Sequence, residues 1–279
     1  MHSNCLTARA MHHARISALF LAIGAAALLI GGCPFTRFDS DEFDDANEPG
    51  DVDAASTAAL PDTVPDFASA RFSRSSVIDN AYFPLPPGRV LTYRSVSGDE
   101  EIVVEVLATT RDVAGITCRA VRDRVYKDGR VVEDTFDWYA QDDGGNVWYM
   151  GEDVTDFVYD NSGNLLSSEH PGSWETNKDV ANIGVTALPG FIMPAHPTTG
   201  DRYHQEYYVG EAEDYAEVVG VGVEVALADG STHTTIKTHD LSTLDNTIDS
   251  FKYYAVGVGV VLEEGHDGER VELISITGS

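Results

Sequence analysis

All three tryptophans of the chain fall between Asp137 and Glu175, and each has a carboxylate close by in sequence. Asp137 precedes Trp138, Glu152 follows Trp148 by four residues, and Glu175 follows Trp174. A Trp face stacks on the apolar face of a sugar ring while nearby acids take its hydroxyls. The same pairing holds an organic cation through ring quadrupole and charge. Two carboxylates set roughly 5–10 Å apart across a cleft also serve as acid and base on a glycosidic bond. The candidates for a ligand or catalytic site are therefore Asp137, Trp138, Asp142, Trp148, Glu152, Trp174 and Glu175. A plainer reading competes: Asp137-Trp138-Tyr139 and Val147-Trp148-Tyr149 are neighbouring strands around an Asp-Gly-Gly-Asn turn, and their aromatics are core.

A second group holds metal-ligand types: His196, His204, Glu206, Glu211, Glu213 and Asp214. Two His with carboxylates can bind zinc, and the metal can activate water. His204 and Glu206, two apart, share one face if the segment is a strand. The acids at 211–214 suit calcium better than zinc, or form a solvated turn. No His-Glu-x-x-His spacing occurs, and no cofactor is predicted beyond calcium or zinc at these positions. Nucleophile motifs are absent: Gly172-Ser173-Trp174-Glu175 is not a Gly-x-Ser-x-Gly elbow. Cys118, in the alternating Gly115–Val121 run, reads as a small buried hydrophobe. Gly257-Val258-Gly259 lies in a strand context followed by acids, so it marks a bulge or close backbone approach and not a phosphate loop.

The elements that must position these groups read as strands and tight turns. Val, Ile, Thr and Tyr dominate with period-two alternation over Arg89–Val96, Glu101–Thr109, Thr117–Tyr126, Val131–Tyr139 and Val147–Met150. Later strands are expected over Tyr203–Val209, Ala216–Ala226, Thr232–Thr238, Asp249–Ala255, Val258–Glu263 and Arg270–Ile276. Ser97–Glu100, Lys127–Arg130, Asp142–Asn146 and Asn161–Asn164 carry turn chemistry. Only Val180–Ala187 suggests a short helix. Sequential hairpins at this spacing predict an all-β fold, an antiparallel meander curled into a barrel or half-barrel, lipocalin-like or like a periplasmic half-barrel lipoprotein. Such a barrel encloses a ligand or fills itself with side chains.

The ends place this domain. His12, His13 and Arg15 precede an apolar run, Ile16 to Ile30, that closes with Gly31-Gly32-Cys33. A basic start, an apolar stretch and a small-residue site define a secretory signal. Ile30-Gly31-Gly32-Cys33 resembles a bacterial lipobox, which implies lipid on Cys33 and removal of residues 1–32. Met11 already begins a complete signal, so either Met1 or Met11 can be the start. Without residues 1–32 the chain holds 16 basic against 46 acidic residues. So acidic a surface repels nucleic acid and argues against it as a partner. Between Asp39 and Asp53 stand Asp39, Asp41, Glu42, Asp44, Asp45, Glu48, Asp51 and Asp53. Self-repelling charge and low hydrophobicity make residues 33–75 a disordered tether, with a single β-rich domain over 76–279.

Several segments look familiar together: Asn80–Gly88, Asp137–Asp142 (DWYAQD), Gly145–Glu152 (GNVWYMGE), Gly172–Glu175 (GSWE), Met193–Pro197 (MPAHP), Gln205–Tyr208 (QEYY), Glu211–Asp214 and Lys252–Val260. They resemble an uncharacterised family of secreted or lipid-anchored bacterial proteins, over nearly the whole domain. That resemblance implies a location and brings no activity. The Tyr253–Val261 segment also looks like the last strands of periplasmic half-barrel lipoproteins that carry or sense apolar ligands. The expected function is that of a cell-envelope lipoprotein, held to a bacterial membrane by its N-terminal lipid. Its domain, outside the cytoplasm, binds a small apolar or amphipathic ligand or a protein partner. The alternative is a carboxylate-dependent hydrolase acting on a glycan.

Overall fold

The computed structural model describes residues 64–244 and 248–278. Cys33, the signal segment and the acidic run at 39–53 lie outside the described residues. Among the described residues, fifteen strands follow a 3-10 turn at Phe67–Ser69. They are β1 Val90–Ser95, β2 Glu100–Val113, β3 Ile116–Lys127, β4 Arg130–Gln141, β5 Val147–Tyr159, β6 Leu165–Glu169, β7 Trp174–Glu175 and β8 Leu188–Met193. The second half holds β9 Arg202–His204, β10 Glu206–Tyr207, β11 Asp214–Ala226, β12 Thr232–Ser242, β13 Asp249–Ala255, β14 Gly259–Gly265 and β15 Arg270–Thr277.

Thirteen of these run through one antiparallel sheet in the order β10-β8-β5-β4-β3-β2-β1-β15-β14-β13-β12-β11-β9. The meander expected from the turn chemistry is therefore present, and the first long strand pairs with the last. The two ends of the order, β9 and β10, are consecutive in the chain and separated only by Gln205. The sheet is nearly closed into a barrel. Gly190 of β8 makes that meeting possible: a Cβ there would lie 2.2 Å from the His204 carbonyl oxygen. Closure removes the unpaired edges that an open sheet of this size would expose.

Alternation along each strand sends one set of side chains into the lumen and the other outward. At one end the lumen is apolar: Leu91, Val104, Val106, Val121, Tyr139, Val147 and Val260 pack against Ile78, Phe83 and Leu85 from the segment before β1. That segment is tied down where the Gly257 amide donates to the Ala81 carbonyl at 2.7 Å, the close backbone approach expected of the Gly257–Gly259 run. Outside the barrel a second cluster joins Cys118, Ala120, Trp138, Trp148 and Met150, covered by Phe67, Phe72 and Phe191. Phe191 packs edge-on to Trp148, their ring centroids 4.4 Å apart.

The helix expected over Val180–Ala187 is not formed. Asp179 instead accepts the amides of Ile183 and Gly184, an Asx-type turn that satisfies the backbone without a helix. β6, β7 and β8 come from stretches with no strand pattern. β6 is exposed throughout, β7 has two residues, and β8 begins Leu-Pro-Gly.

Candidate functional site

The other end of the lumen is acidic. Glu100, Asp123, Glu133, Asp137, Glu152, Glu206, Asp240 and Glu263 are all buried, none more than 4 % exposed. They come from β2, β3, β4, β5, β10, β12 and β14, whose inward positions converge at the end marked by the 95–100, 127–130 and 265–270 turns. Lys252 of β13 is the buried lysine among them, its Nζ 3.0 Å from Asp240 Oδ2. Burial opposes its charge, but Asp240, Glu263 and Asp214 together hold its pKa above the usual lysine value.

Burial pushes the carboxyl of Asp123 well above the ordinary carboxylate range, and Asp137 and Glu100 push it further. Glu133 is raised likewise, by burial first and then by Asp123. Glu152 is raised by burial and then by Glu206, Asp137 and Glu133. Burial raises Asp137 to about 7, against the hydrogen bond it accepts from Tyr149. That bond, Tyr149 Oη to Asp137 Oδ1, is 2.8 Å. Glu263 is raised by burial, with Lys252 working the other way. The first cause is common to all five: a low-dielectric interior disfavours the charged form.

Hydrogen bonding leaves part of this surface unmet. Among the described residues, Asp123 Oδ1, Glu133 Oε2, Asp137 Oδ2 and Glu152 Oε2 are buried without a partner. The hydroxyls of Tyr139 and Tyr203 share that condition. Orphaned buried polar atoms are uncommon because each carries its full desolvation cost. At the rim, Arg94, Glu100, Glu101, Tyr126 and Asp128 border an open cleft of about 540 Å³. Glu100 links that cleft to the interior, since its charge acts on both Asp123 and Glu263. The apolar end holds a notch of about 20 Å³ between Phe83, Leu91, Tyr93 and Val260.

The Trp–carboxylate constellation is divided by the sheet. Asp137, Glu152 and Trp174 meet in the lumen: Asp137 and Glu152 are register partners on β4 and β5. Trp174 packs edge-on to Tyr149 and donates its indole N–H to Glu206 at 2.6 Å. Trp138 and Trp148 lie on the outer face, the core role of the plainer reading. Asp142 caps the β4–β5 turn, accepting the Trp148 indole N–H at 2.9 Å and the Asn146 amide. Glu175 faces outward between Arg111 at 2.7 Å and Lys178 at 2.6 Å. Burial works to raise its pKa, but the hydrogen bonds from Lys178 and Arg111 outweigh this and lower it. The Arg111 guanidinium also lies 3.9 Å above the Trp138 ring.

Glu152 reaches the lumen through a bulge. Trp138 pairs with Gly151 while Tyr139 pairs with Tyr149, so Met150 is an extra residue in β5. The bulge puts Tyr149 and Glu152, three apart, on the same inner face. Gly151 sits at φ 142°, where a Cβ would lie 2.6 Å from the Trp174 carbonyl oxygen.

The metal candidates are also redistributed. His196 is exposed in the loop after β8. His204 packs against the rings of Tyr207 and Tyr215, and burial lowers its pKa. The shared face expected for His204 and Glu206 is not kept. The chain leaves β11 and joins β8 at Gln205, so Gln205 bonds to Asp240 and Glu206 receives Trp174. Glu213 accepts the Gly210 amide and the Thr243 hydroxyl in a turn. Glu211 stands beside it, half-buried, and Asp214 is buried at the start of β11. Among the described residues, no three of His, Cys, Asp and Glu are grouped so as to hold a metal ion. Cys118 is buried, and burial raises its thiol pKa to about 12.

Sequence reasoning missed Glu100, Asp123, Glu133, Asp240, Lys252 and Glu263. The available signal was charge at inward positions of alternating strands, as in Glu133-Asp-Thr-Phe-Asp137, where both ends share one face. No protein-family model matches the chain, and neither a curated protein nor a solved structure matches it.

Proposed function

We propose that this chain is a lipid-anchored protein of the bacterial cell envelope that binds a small amphipathic ligand in its barrel. The anchor rests on Ile30-Gly31-Gly32-Cys33 and the apolar run before it. The observation that carries the binding role is the polarity of the lumen, apolar at the Phe83 and Leu85 end and acidic with unmet polar atoms at the other. A molecule with a polar head and an apolar body matches that division in a single orientation. Its head enters by the cleft at Glu100 and its apolar part points toward Tyr93.

Hydrolysis of a glycan is the second reading, and one observation favours it. Asp137 and Glu152 face each other in register, and the pKa of about 7 on Asp137 suits an acid catalyst. Binding is preferred because Asp142, Glu175, Trp138 and Trp148 of the expected site serve a turn and the outer face. Of the three tryptophans that leaves Trp174 beside the buried pair, and its indole N–H is already engaged by Glu206.

Native mass spectrometry of the full chain, purified from its own cells in mild detergent, tests both parts of the proposal. The denatured mass is expected to show lipid on Cys33. The native mass is expected to exceed it by one stoichiometric organic adduct. Equal native and denatured masses, unchanged by incubation with envelope extract, would sink the binding reading and direct effort to glycan assays with Glu152→Gln.

A further inference from the structure

The lumen is unequal in how its acids are neutralised. On the β12–β14 wall, Lys252 places an ammonium on an alkyl stem between Asp240, Glu263 and Asp214. On the β4–β5 wall, Glu133, Asp137 and Glu152 are buried as deeply, and among the described residues none of the three has an ion pair. Each of them keeps one oxygen without a hydrogen-bond donor, and the hydroxyl of Tyr139 among them is also unpartnered. That tyrosine is an observation independent of the acids: a neutral polar atom, fully buried beside Asp137 and Glu152 and without a hydrogen-bond partner.

The acids on this wall are strung out along the strand. With a rise of about 3.3 Å per residue, Glu133 and Asp137 are about 13 Å apart along β4, and Glu152 stands opposite Asp137. A compact ion cannot meet carboxylates so placed, and no three of them are grouped for one. A chain bearing several ammonium groups can, with its methylenes between the acids, as the Lys252 stem already lies on the other wall. Ammonium-to-carboxylate hydrogen bonds are the strong, charge-assisted kind, and a dry site strengthens them. The entrance carries more acid than base: Asp99, Glu100, Glu101 and Asp128 border the cleft with Arg94, which pairs with Glu101, while Lys127 pairs with Glu100.

Resting on the reading of the barrel as a ligand-binding site, and on its acidic end alone, we infer that the β4–β5 wall of the lumen, with Glu133, Asp137, Glu152 and the Tyr139 hydroxyl, is a binding site for a linear aliphatic polyamine. Several carboxylates and one spanning polycation form a neutral, hydrogen-bonded array, which is the condition for burying charge at acceptable cost.

Calorimetric titration of the full-length protein with spermidine, beside butylamine and calcium chloride, tests this. One saturable spermidine site is expected, with butylamine and calcium each at least about tenfold weaker. The paired Glu133→Gln and Glu152→Gln substitutions should weaken spermidine at least about tenfold. Glu169→Gln, on the exposed β6, should leave it unchanged. Trp174 provides a readout independent of those variants. Its fluorescence, isolated by subtracting a Trp174→Phe protein, should change in step with the heat. Non-saturable uptake, equal binding by the lumen and β6 variants, or an unmoved Trp174 signal would assign the interaction to surface charge and overturn the site. No spermidine binding by a protein that still carries an organic adduct would overturn the polyamine alone. The same result with no adduct would remove the ligand-binding reading as well.

Discussion

Asp137 shows how one buried side chain sets a pH response. Its pKa of about 7 lies far above the unfolded value near 4. The folded state therefore holds a proton that the unfolded state releases between about pH 4 and 7. Stability is fully present below the lower value and is lost as pH rises through the upper one. The raised carboxyls of Asp123, Glu133, Glu152 and Glu263 act in the same direction. Asp137→Asn keeps an oxygen acceptor for Tyr149 and removes the titration. At pH 8 the variant is expected to unfold at higher denaturant than the parent, by up to about 4 kcal/mol. Near pH 4 the two proteins should coincide. Chemical denaturation at both pH values checks this, and a variant less stable at pH 8 would mean that the ionised Asp137 is held by favourable contacts.

Among elements, β5 carries the most consequential irregularity. Gly151 lets β7 cross close to β5 and turns Glu152 inward. Gly151→Ala would set a Cβ against the backbone of Trp174 and Glu175, which cannot yield as a side-chain tip can. A loss of about 3 kcal/mol or more is expected in thermal or chemical melts, from clash and unfavourable φ together. An unchanged melting temperature would show that β7 does not need its present seat. The β4–β5 hairpin itself was legible in the sequence, because Asp-Gly-Gly-Asn turn chemistry and alternation agree there. The inward turn of Glu152 was not legible, since a bulge is fixed by the partner strand and leaves no period in its own sequence. His204 and Glu206 misled for a related reason: the chain changes partner at Gln205, so the two-residue spacing no longer means a shared face. β8 escaped notice because Pro189 and Gly190 read as a break, although Gly190 is what the neighbouring chain requires.

At the scale of the whole molecule, closure depends on a few residues. β10 meets β8 through Glu206–Pro189 and Tyr207–Leu188, and β9 meets β11 through three pairs. Gly190→Ala would push a methyl group into the His204–Gln205 backbone, where its Cβ would lie 2.5 Å from the Gln205 carbonyl oxygen. Hydrogen exchange in this variant should quicken over 188–193 and 202–207 and stay unchanged in β2, β3 and β4. Uniform quickening would instead show that the barrel opens as one unit.

The pairing of β1 with β15 joins residues as distant as Val90 and Thr277. Until the last strand has been synthesised, one edge of β1 has no neighbour, and the acids of β2 to β5 face a wall that is not yet joined to them. Ring closure is thus the latest and entropically most demanding step of folding, and it sets a slow pace for a protein made otherwise of local hairpins.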